Sequence, residues 1–103
     1  MKRFLIKYRL NHGEEAKWRQ DIARFIAALD GDPALAGKIT YRAMKRRDGA
    51  DYYHLATAVD EEAVKALGQA EFFKAYTELT RRVSGGEVEV LPLDVIGETA
   101  TVG

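Results

Sequence analysis

The chain has 103 residues, of which 16 are Lys or Arg and 16 are Asp or Glu, so its formal net charge is zero. The length suits one domain, and a neutral surface offers no long-range attraction to nucleic acid or anionic membranes. The absence of cysteine excludes disulfides, thiolate catalysis and zinc–thiolate sites. Because no secretory leader and no run of about 20 apolar residues is recognisable, we expect a cytoplasmic protein.

The N-terminal part predicts a strand followed by a helix. Apolar side chains occupy every second position from residue 4 to residue 10, which is the period of a half-buried strand. Asn11, with Glu14 three residues later, resembles a capping box and predicts the start of the helix. The apolar stripe of this helix consists of Trp18, Ile22, Phe25, Ile26 and Leu29. Pro33 cannot continue the helix, and Gly31 is able to take a left-handed cap.

The rest of the chain predicts a hairpin, an interrupted helix and a last strand. Residues 38–47 and 51–59 read as strands around the turn Asp48-Gly49. Asp60 is the expected N-cap of a helix that Gly68 breaks into two pieces. Ser84-Gly85-Gly86 ends its second piece. Residues 87–96 form the last strand, which Pro92 assigns to a sheet edge.

This order of elements predicts an α+β, ferredoxin-like βαββαβ domain over residues 1–97, followed by a tail of residues 98–103. Two helices cover only one face of a four-stranded antiparallel sheet. The other face carries apolar side chains whichever alternation is chosen, and a second copy of the chain would bury them. We therefore expect a homodimer through the open face of the sheet, with no nucleic-acid or membrane partner.

The pattern resembles the dimeric α/β-barrel superfamily and, within it, the antibiotic-biosynthesis-monooxygenase-like group. The resemblance is carried by residues 11–15 after the first strand, by Trp18 and Phe25, by the hairpin turn, and by residues 69–76 on the second helix. It implies a homodimer whose sheets face each other and a pocket in each subunit between sheet and helices. Members include cofactor-free oxygenases of aromatic polyketides, haem-degrading enzymes and proteins with no known activity. Related barrels include lactone isomerases and cyclases.

Several residues depart from the patterns of these groups. Haem-degrading members carry Asn in the first strand and Trp and His on the second helix, whereas residues 3–8 lack Asn and residues 60–83 lack Trp and His. A haem role is therefore not expected. The polyketide oxygenases often have Trp in or after the third strand, where this chain has Ala58-Val59-Asp60. Cyclase-type barrels use a His in the first strand, which is also missing.

His54 in the third strand is the candidate catalytic residue. A histidine with a pKa near neutrality can accept a phenolic or enolic proton. Cofactor-free oxygenation requires such a step, because the deprotonated substrate must give an electron to oxygen. The competing interpretation is a histidine that hydrogen-bonds across the sheet or at the dimer seam, since no orienting partner is visible in the sequence. The other histidine, His12, lies in a predicted loop and is expected to be solvated.

The candidate substrate-binding residues are Tyr8, Trp18, Tyr41, Arg42, Tyr53 and Tyr76. Aromatic walls with a few polar tips suit a planar ligand, and Arg42 could hold an acidic group of the substrate. Core packing of the aromatic residues and a cross-strand ion pair of the arginine are the competing explanations. Two histidines and no cysteine are too few for a dedicated transition-metal site, and no cofactor is expected.

These observations predict a small-molecule-binding dimeric α/β barrel. The resemblance favours a cofactor-free monooxygenase of small aromatic or quinone-like compounds. A non-catalytic homodimer that binds a metabolite or serves as an interaction module remains open, and a cavity wall without histidine would favour it. An isomerase or cyclase also remains open, and it would need an acid–base pair that converges on one cavity.

Overall fold

The computed structural model describes residues 1–100. Its elements are β1 (Lys2–Arg9), α1 (Glu15–Gly31), β2 (Ile39–Lys45), β3 (Asp51–Ala58), α2 (Glu61–Gln69), α3 (Glu71–Ser84) and β4 (Val88–Leu93). This is the predicted βαββαβ order, with the second helix in two pieces. Residues 98–100 of the predicted tail belong to no helix or strand, and residues 101–103 lie outside the described residues. No helix within residues 1–100 is long and apolar enough to cross a membrane.

The four strands form one antiparallel sheet in the order β2-β3-β1-β4. In the described part of the chain β4 is an edge strand that pairs only with β1, and Pro92 lies opposite Phe4. An edge strand tolerates proline, because one side of the strand has no neighbour and needs no backbone N–H for pairing. The prediction from Pro92 is therefore confirmed.

The register of the strands decides which alternation faces the helices. Ile6 on β1 lies opposite His54 on β3 and Val90 on β4, and Ala43 on β2 completes this row. His54 is buried beneath the helices, together with Tyr52 and Ala58 at the same alternation of β3. The intervening residues of β3 point to the open face, since successive side chains of a strand point to opposite sides.

The predicted apolar stripe of α1 forms the centre of the core. Trp18, Ile22, Phe25 and Leu29 are all buried there. The ring of Phe25 lies parallel to that of Tyr76 on α3, with 3.9 Å between centroids. Such aromatic pairs contribute about 1 kcal/mol beyond the area they bury, so this contact joins α1 to α3.

The start of α2 and the end of α3 follow the sequence signals, whereas the break between the helices lies at Ala70 and not at the predicted Gly68, which is still within α2. Asp60 caps α2, because its Oδ1 accepts the backbone N–H of Ala63 at 2.9 Å. The helix is interrupted at Ala70, whose extended ψ of 130° separates α2 from α3. Gly85 ends α3 in the left-handed conformation, with a φ of 72°, which glycine adopts without steric cost.

Two predicted caps of α1 are wrong. Glu14 is the N-cap residue and makes no side-chain capping bond, whereas Asn11 donates its Nδ2 proton to the carbonyl of Ser84 at 3.0 Å. Asn11 therefore ties the β1–α1 loop to the end of α3. At the other end Gly31 is still within the helix, and Asp32 follows in an extended conformation. The physical reason is Pro33, which disfavours helical dihedrals in the residue before it.

Candidate functional site

His54 lies between two tyrosines from the strands on either side of it. The Tyr8 hydroxyl of β1 is 3.0 Å from its Nε2, and the Tyr41 hydroxyl of β2 hydrogen-bonds its Nδ1. Each tyrosine is diagonal to His54 in the register, a separation that long side chains can span. The Tyr76 hydroxyl of α3 is 3.4 Å from Nδ1 and 3.4 Å from the Tyr41 hydroxyl.

Trp18 extends this group on the side of α1. Its indole Nε1 donates to the Tyr8 hydroxyl at 2.8 Å, and its ring stacks on that of Tyr76. We call these five residues, Trp18, Tyr8, His54, Tyr41 and Tyr76, the His54 network. Five of the seven candidate residues therefore meet at one place, although β1, α1, β2, β3 and α3 each supply one of them.

Burial keeps the His54 network uncharged. His54 is 1% exposed, and its removal from water lowers the pKa of the imidazole from 6.5 to about 4. Burial also raises the pKa of the hydroxyls of Tyr8, Tyr41 and Tyr76, because an apolar surrounding disfavours the charged phenolate. At neutral pH the imidazole is therefore neutral, with one nitrogen as donor and the other as acceptor.

A cavity of about 480 Å³ lies between the sheet and the two C-terminal helices. Its apolar wall includes Phe4, Ile6, Ala56, Val64, Leu67 and Phe73. Tyr41 and Tyr76 also line it and bring the end of the His54 network to its surface. His54 itself is not in the wall and lies behind the two tyrosines. A ligand in this cavity would thus meet tyrosine hydroxyls before the imidazole.

The structure places Arg42 and Tyr53 on the opposite face of the sheet. Arg42 lies opposite Leu55 in the register, and Tyr53 lies opposite Met44. Each follows or precedes a residue of the His54 network by one position, and adjacent strand residues point to opposite faces. These two candidates therefore do not share the cavity that Tyr41 and Tyr76 line.

The cation that lines the cavity is Arg81 on α3, which the sequence reasoning missed. Phe73, Thr77, Thr80 and Arg81 follow one another along the same side of α3 and all border the cavity. Thr77 and Arg81 lie four and eight residues after Phe73, and Thr80 lies three residues after Thr77; this spacing was a readable signal, since residues three or four apart share a helix face. Arg81 is exposed and pairs with Glu78 at 3.4 Å, so it lies at the solvent side of the cavity.

The other histidine, His12, does not belong to the cavity. His12 is exposed in the β1–α1 loop, with its Nε2 beside Gly85. Within residues 1–100 no group of three or more His, Asp or Glu side chains is arranged to hold a metal ion. The polar side chains that border the cavity are Tyr41 and Tyr76 of the His54 network, Arg81, and three threonines, Thr57, Thr77 and Thr80.

No family model and no curated protein matches the chain. Solved structures do match it. SnoaB, a cofactor-independent oxygenase from Streptomyces nogalater, superposes with a TM-score of 0.78 at 19% identity over 97% of each chain. A protein from Caulobacter crescentus, described provisionally as an antibiotic biosynthesis monooxygenase, gives 0.77 at 14% identity, with 93% of this chain and 90% of that chain covered.

The chain has the fold of the antibiotic-biosynthesis-monooxygenase-like proteins. A protein of unknown function from Jannaschia, described as dimeric and ferredoxin-like, also matches, with a TM-score of 0.65 at 22% identity, covering 92% of this chain and 100% of that one. The fold that the sequence pattern predicted is thereby confirmed. Identities this low speak to the fold and leave the reaction to be argued from the chain's own residues.

Proposed function

We propose that the protein is a small-molecule-binding dimeric α/β barrel that acts as a cofactor-free monooxygenase on small aromatic or quinone-like compounds. The cavity of about 480 Å³, apolar except for the hydroxyls of Tyr41 and Tyr76, Thr57 on β3 and a few groups on α3, carries this proposal. Pockets for small ligands have volumes of roughly 300–1,000 Å³ and apolar walls with a few placed polar groups. The superposition on SnoaB, which is described as a cofactor-independent oxygenase, supports the assignment.

The proposed reaction takes its electrons from the substrate. A methylene group beside an aromatic ketone loses a proton to solvent water to give an enolate, which passes an electron to O₂. The methylene carbon finally becomes a carbonyl carbon and loses four electrons. O₂ gains these electrons, one oxygen atom remains in the product, and the other leaves as water with the two methylene hydrogens.

The His54 network suits the enolate stage of this reaction. A hydroxyl of Tyr41 or Tyr76 that donates to the enolate oxygen stabilises the charge that develops there, as oxyanion-hole donors do. His54 supports these hydroxyls and is a poor proton acceptor, because burial disfavours the imidazolium. In this proposal His54 is the orienting residue, and the two tyrosines contact the substrate.

The open face of the sheet supports the dimer in the proposal. Leu5, Leu55 and Leu91 lie side by side on β1, β3 and β4, and all three remain only half-buried in the single chain. A second copy would remove this apolar row from water. The dimeric description of the Jannaschia protein of the same fold agrees with such an assembly.

The oxygenase proposal is tested by oxygen uptake with a panel of phenols, hydroquinones and aromatic ketones with acidic methylene groups. We expect uptake above the rate without protein for at least one class, with one atom of ¹⁸O₂ in the product. The variant Tyr41→Phe/Tyr76→Phe should lose this excess rate, whereas Tyr52→Phe, a buried tyrosine outside this cavity, should keep it. Ligand binding without oxygen uptake by any class would contradict the oxygenase activity.

One observation favours a second candidate, a non-catalytic metabolite-binding dimer. The described residues that line the cavity include no histidine, and both ring nitrogens of His54 are already hydrogen-bonded. Native mass spectrometry of the purified protein separates the two candidates, because a binding protein would retain an air-exposed ligand unchanged. An isomerase or cyclase would need an acid–base pair, and none of the described residues that line the cavity is His, Asp or Glu.

A further inference from the structure

We propose that the polar end of the cavity is a hydrogen-bond donor, fixed in that role by the direction of the His54 network. The ligand accordingly presents a carbonyl, quinone or enolate oxygen to the hydroxyl pair of Tyr41 and Tyr76. This inference rests on the proposed binding of a small molecule in the cavity, and it names the chemical group that the site recognises.

The direction of the network is set at Trp18. An indole N–H donates and has no acceptor, so the Tyr8 oxygen must accept from it at 2.8 Å. Among residues 1–100 the proton of Tyr8 then has one partner within reach, Nε2 of His54 at 3.0 Å. Nε2 is therefore an acceptor, and the single proton of the neutral imidazole lies on Nδ1.

The opposite tautomer would leave a buried donor without a partner. With the proton on Nε2, both His54 and Trp18 would donate to the Tyr8 oxygen. The proton of Tyr8 would then have no acceptor, although the residue is buried. An unpaired buried donor is unfavourable enough to select one tautomer almost completely. The geometry thus favours the proton on Nδ1.

The other end of the network lies at the cavity. His54 Nδ1–H donates to the Tyr41 oxygen, which is its nearer partner, while Tyr76 is 3.4 Å away. The hydroxyls of Tyr41 and Tyr76 are 3.4 Å apart, so one can donate to the other. Both tyrosines line the cavity.

A count of protons gives the chemical character of this end. Each of the five members of the His54 network carries one donor proton, and four hydrogen bonds join them in a line. One proton remains, on Tyr41 or on Tyr76, and within residues 1–100 no carbonyl or carboxylate accepts from either hydroxyl. The free proton therefore borders the cavity.

A ligand oxygen that accepts this proton completes the hydrogen bonding, whereas a hydrocarbon of the same shape leaves the hydroxyl unpaired. The net value of one such bond corresponds to roughly three- to tenfold in affinity. The site should therefore prefer ketones, quinones and enolates over their deoxygenated analogues. It should not prefer ligands whose polar group can only donate.

The tautomer of His54 can be read directly by ¹⁵N–¹H correlation NMR of the whole protein. We expect Nδ1 to carry the proton and Nε2 to be bare, with the signals of His12 identified from the variant His12→Gln. A His54 ring protonated on Nε2 would overturn the inference. In Tyr8→Phe the hydroxyl that donates to Nε2 is lost, so the ¹⁵N signal of Nε2 should shift toward that of a bare imidazole nitrogen without a hydrogen bond. An Nε2 signal that does not respond to this substitution would contradict the hydrogen bond from Tyr8.

The ligand preference is tested by titration calorimetry with 1-tetralone and tetralin, which differ only in a carbonyl group. Wild type should bind the ketone three- to tenfold more tightly, and Tyr41→Phe/Tyr76→Phe should bind both alike, with Tyr52→Phe as the matched control. Equal affinity in wild type would refute the donor while leaving the binding cavity intact. Binding of neither compound would count against the proposed small-molecule site, and the tautomer measurement would still decide the direction of the network.

Discussion

The hydroxyl of Tyr8 lies 3.0 Å from Nε2 of His54, although the two residues are 46 positions apart in the chain. Tyr8 also stacks on Tyr52, with 5.2 Å between the ring centroids and 7° between the planes. The two stacked rings differ in their hydroxyls. That of Tyr8 has two partners in the His54 network, whereas that of Tyr52 is buried with no partner among the described residues.

This contrast predicts opposite effects for two matched substitutions. Tyr8→Phe should lower the free energy of unfolding by about 1–3 kcal/mol, because it leaves the N–H of Trp18 and Nε2 of His54 unpaired. Tyr52→Phe should leave it unchanged or raise it slightly, since it removes an unsatisfied hydroxyl. Urea unfolding of both variants measures the difference. Equal losses would show that the two hydroxyls contribute alike, and would contradict the contrast in their hydrogen bonding.

The low pKa of His54 predicts acid sensitivity. The native imidazole has a pKa of about 4 and the unfolded one about 6.5, so between these values the unfolded chain binds more protons. The contribution of His54 to stability is complete above pH 6.5 and is lost as the pH falls through the folded-state pKa. The loss on reaching pH 4 should be roughly 3 kcal/mol.

Unfolding free energies measured from pH 6.5 to 4 test this dependence. His54→Gln keeps a donor and an acceptor but does not titrate, so its pH slope should be shallower than that of wild type. His12→Gln, which changes the exposed histidine, should keep the wild-type slope. Identical slopes for wild type and His54→Gln would contradict a depressed pKa at this residue.

The open face of the sheet predicts a dimer that one charge disrupts. Leu55→Asp places a carboxylate in the half-buried row of Leu5, Leu55 and Leu91, and burying it would require the removal of its hydration. We expect the dissociation constant to rise by at least a hundredfold in light-scattering dilution series. Leu79→Asp makes the same change at an exposed leucine of α3 and should have no effect. A wild-type monomer at micromolar concentration would refute the interface.

The volume of the cavity predicts that a larger side chain at Ala56 blocks ligand binding. Ala56 lies on β3 and lines the cavity, so Ala56→Leu fills part of its space. The affinity for 1-tetralone in titration calorimetry should fall about tenfold or more, since overpacked sites accommodate new methylenes poorly. Ala75→Leu on the exposed side of α3 should bind like wild type. Unchanged binding by Ala56→Leu would place the ligand elsewhere.

Much of the fold could be read from local patterns. Asp60, Gly85 and Pro92 act through their own backbone geometry, and each does in the structure what its chemistry predicts. The signals at Asn11 and Gly31 were also local, but they competed with other interactions. Asn11 bonds the end of α3 instead of α1, and Pro33 holds the residue after Gly31 extended. Local signals therefore failed where a distant partner or a stronger neighbour prevailed.

The sequence by itself determined the elements, their order and the fold, because hydrophobic period and helix caps depend on residues a few positions apart. It also supplied the five members of the His54 network as separate candidates. Only the tertiary structure decided that Tyr41 and His54 share the covered face of the sheet while Arg42 and Tyr53 lie on the other. The physical reason is that a strand offers two equivalent faces, and the packing of helices distant in the chain chooses between them.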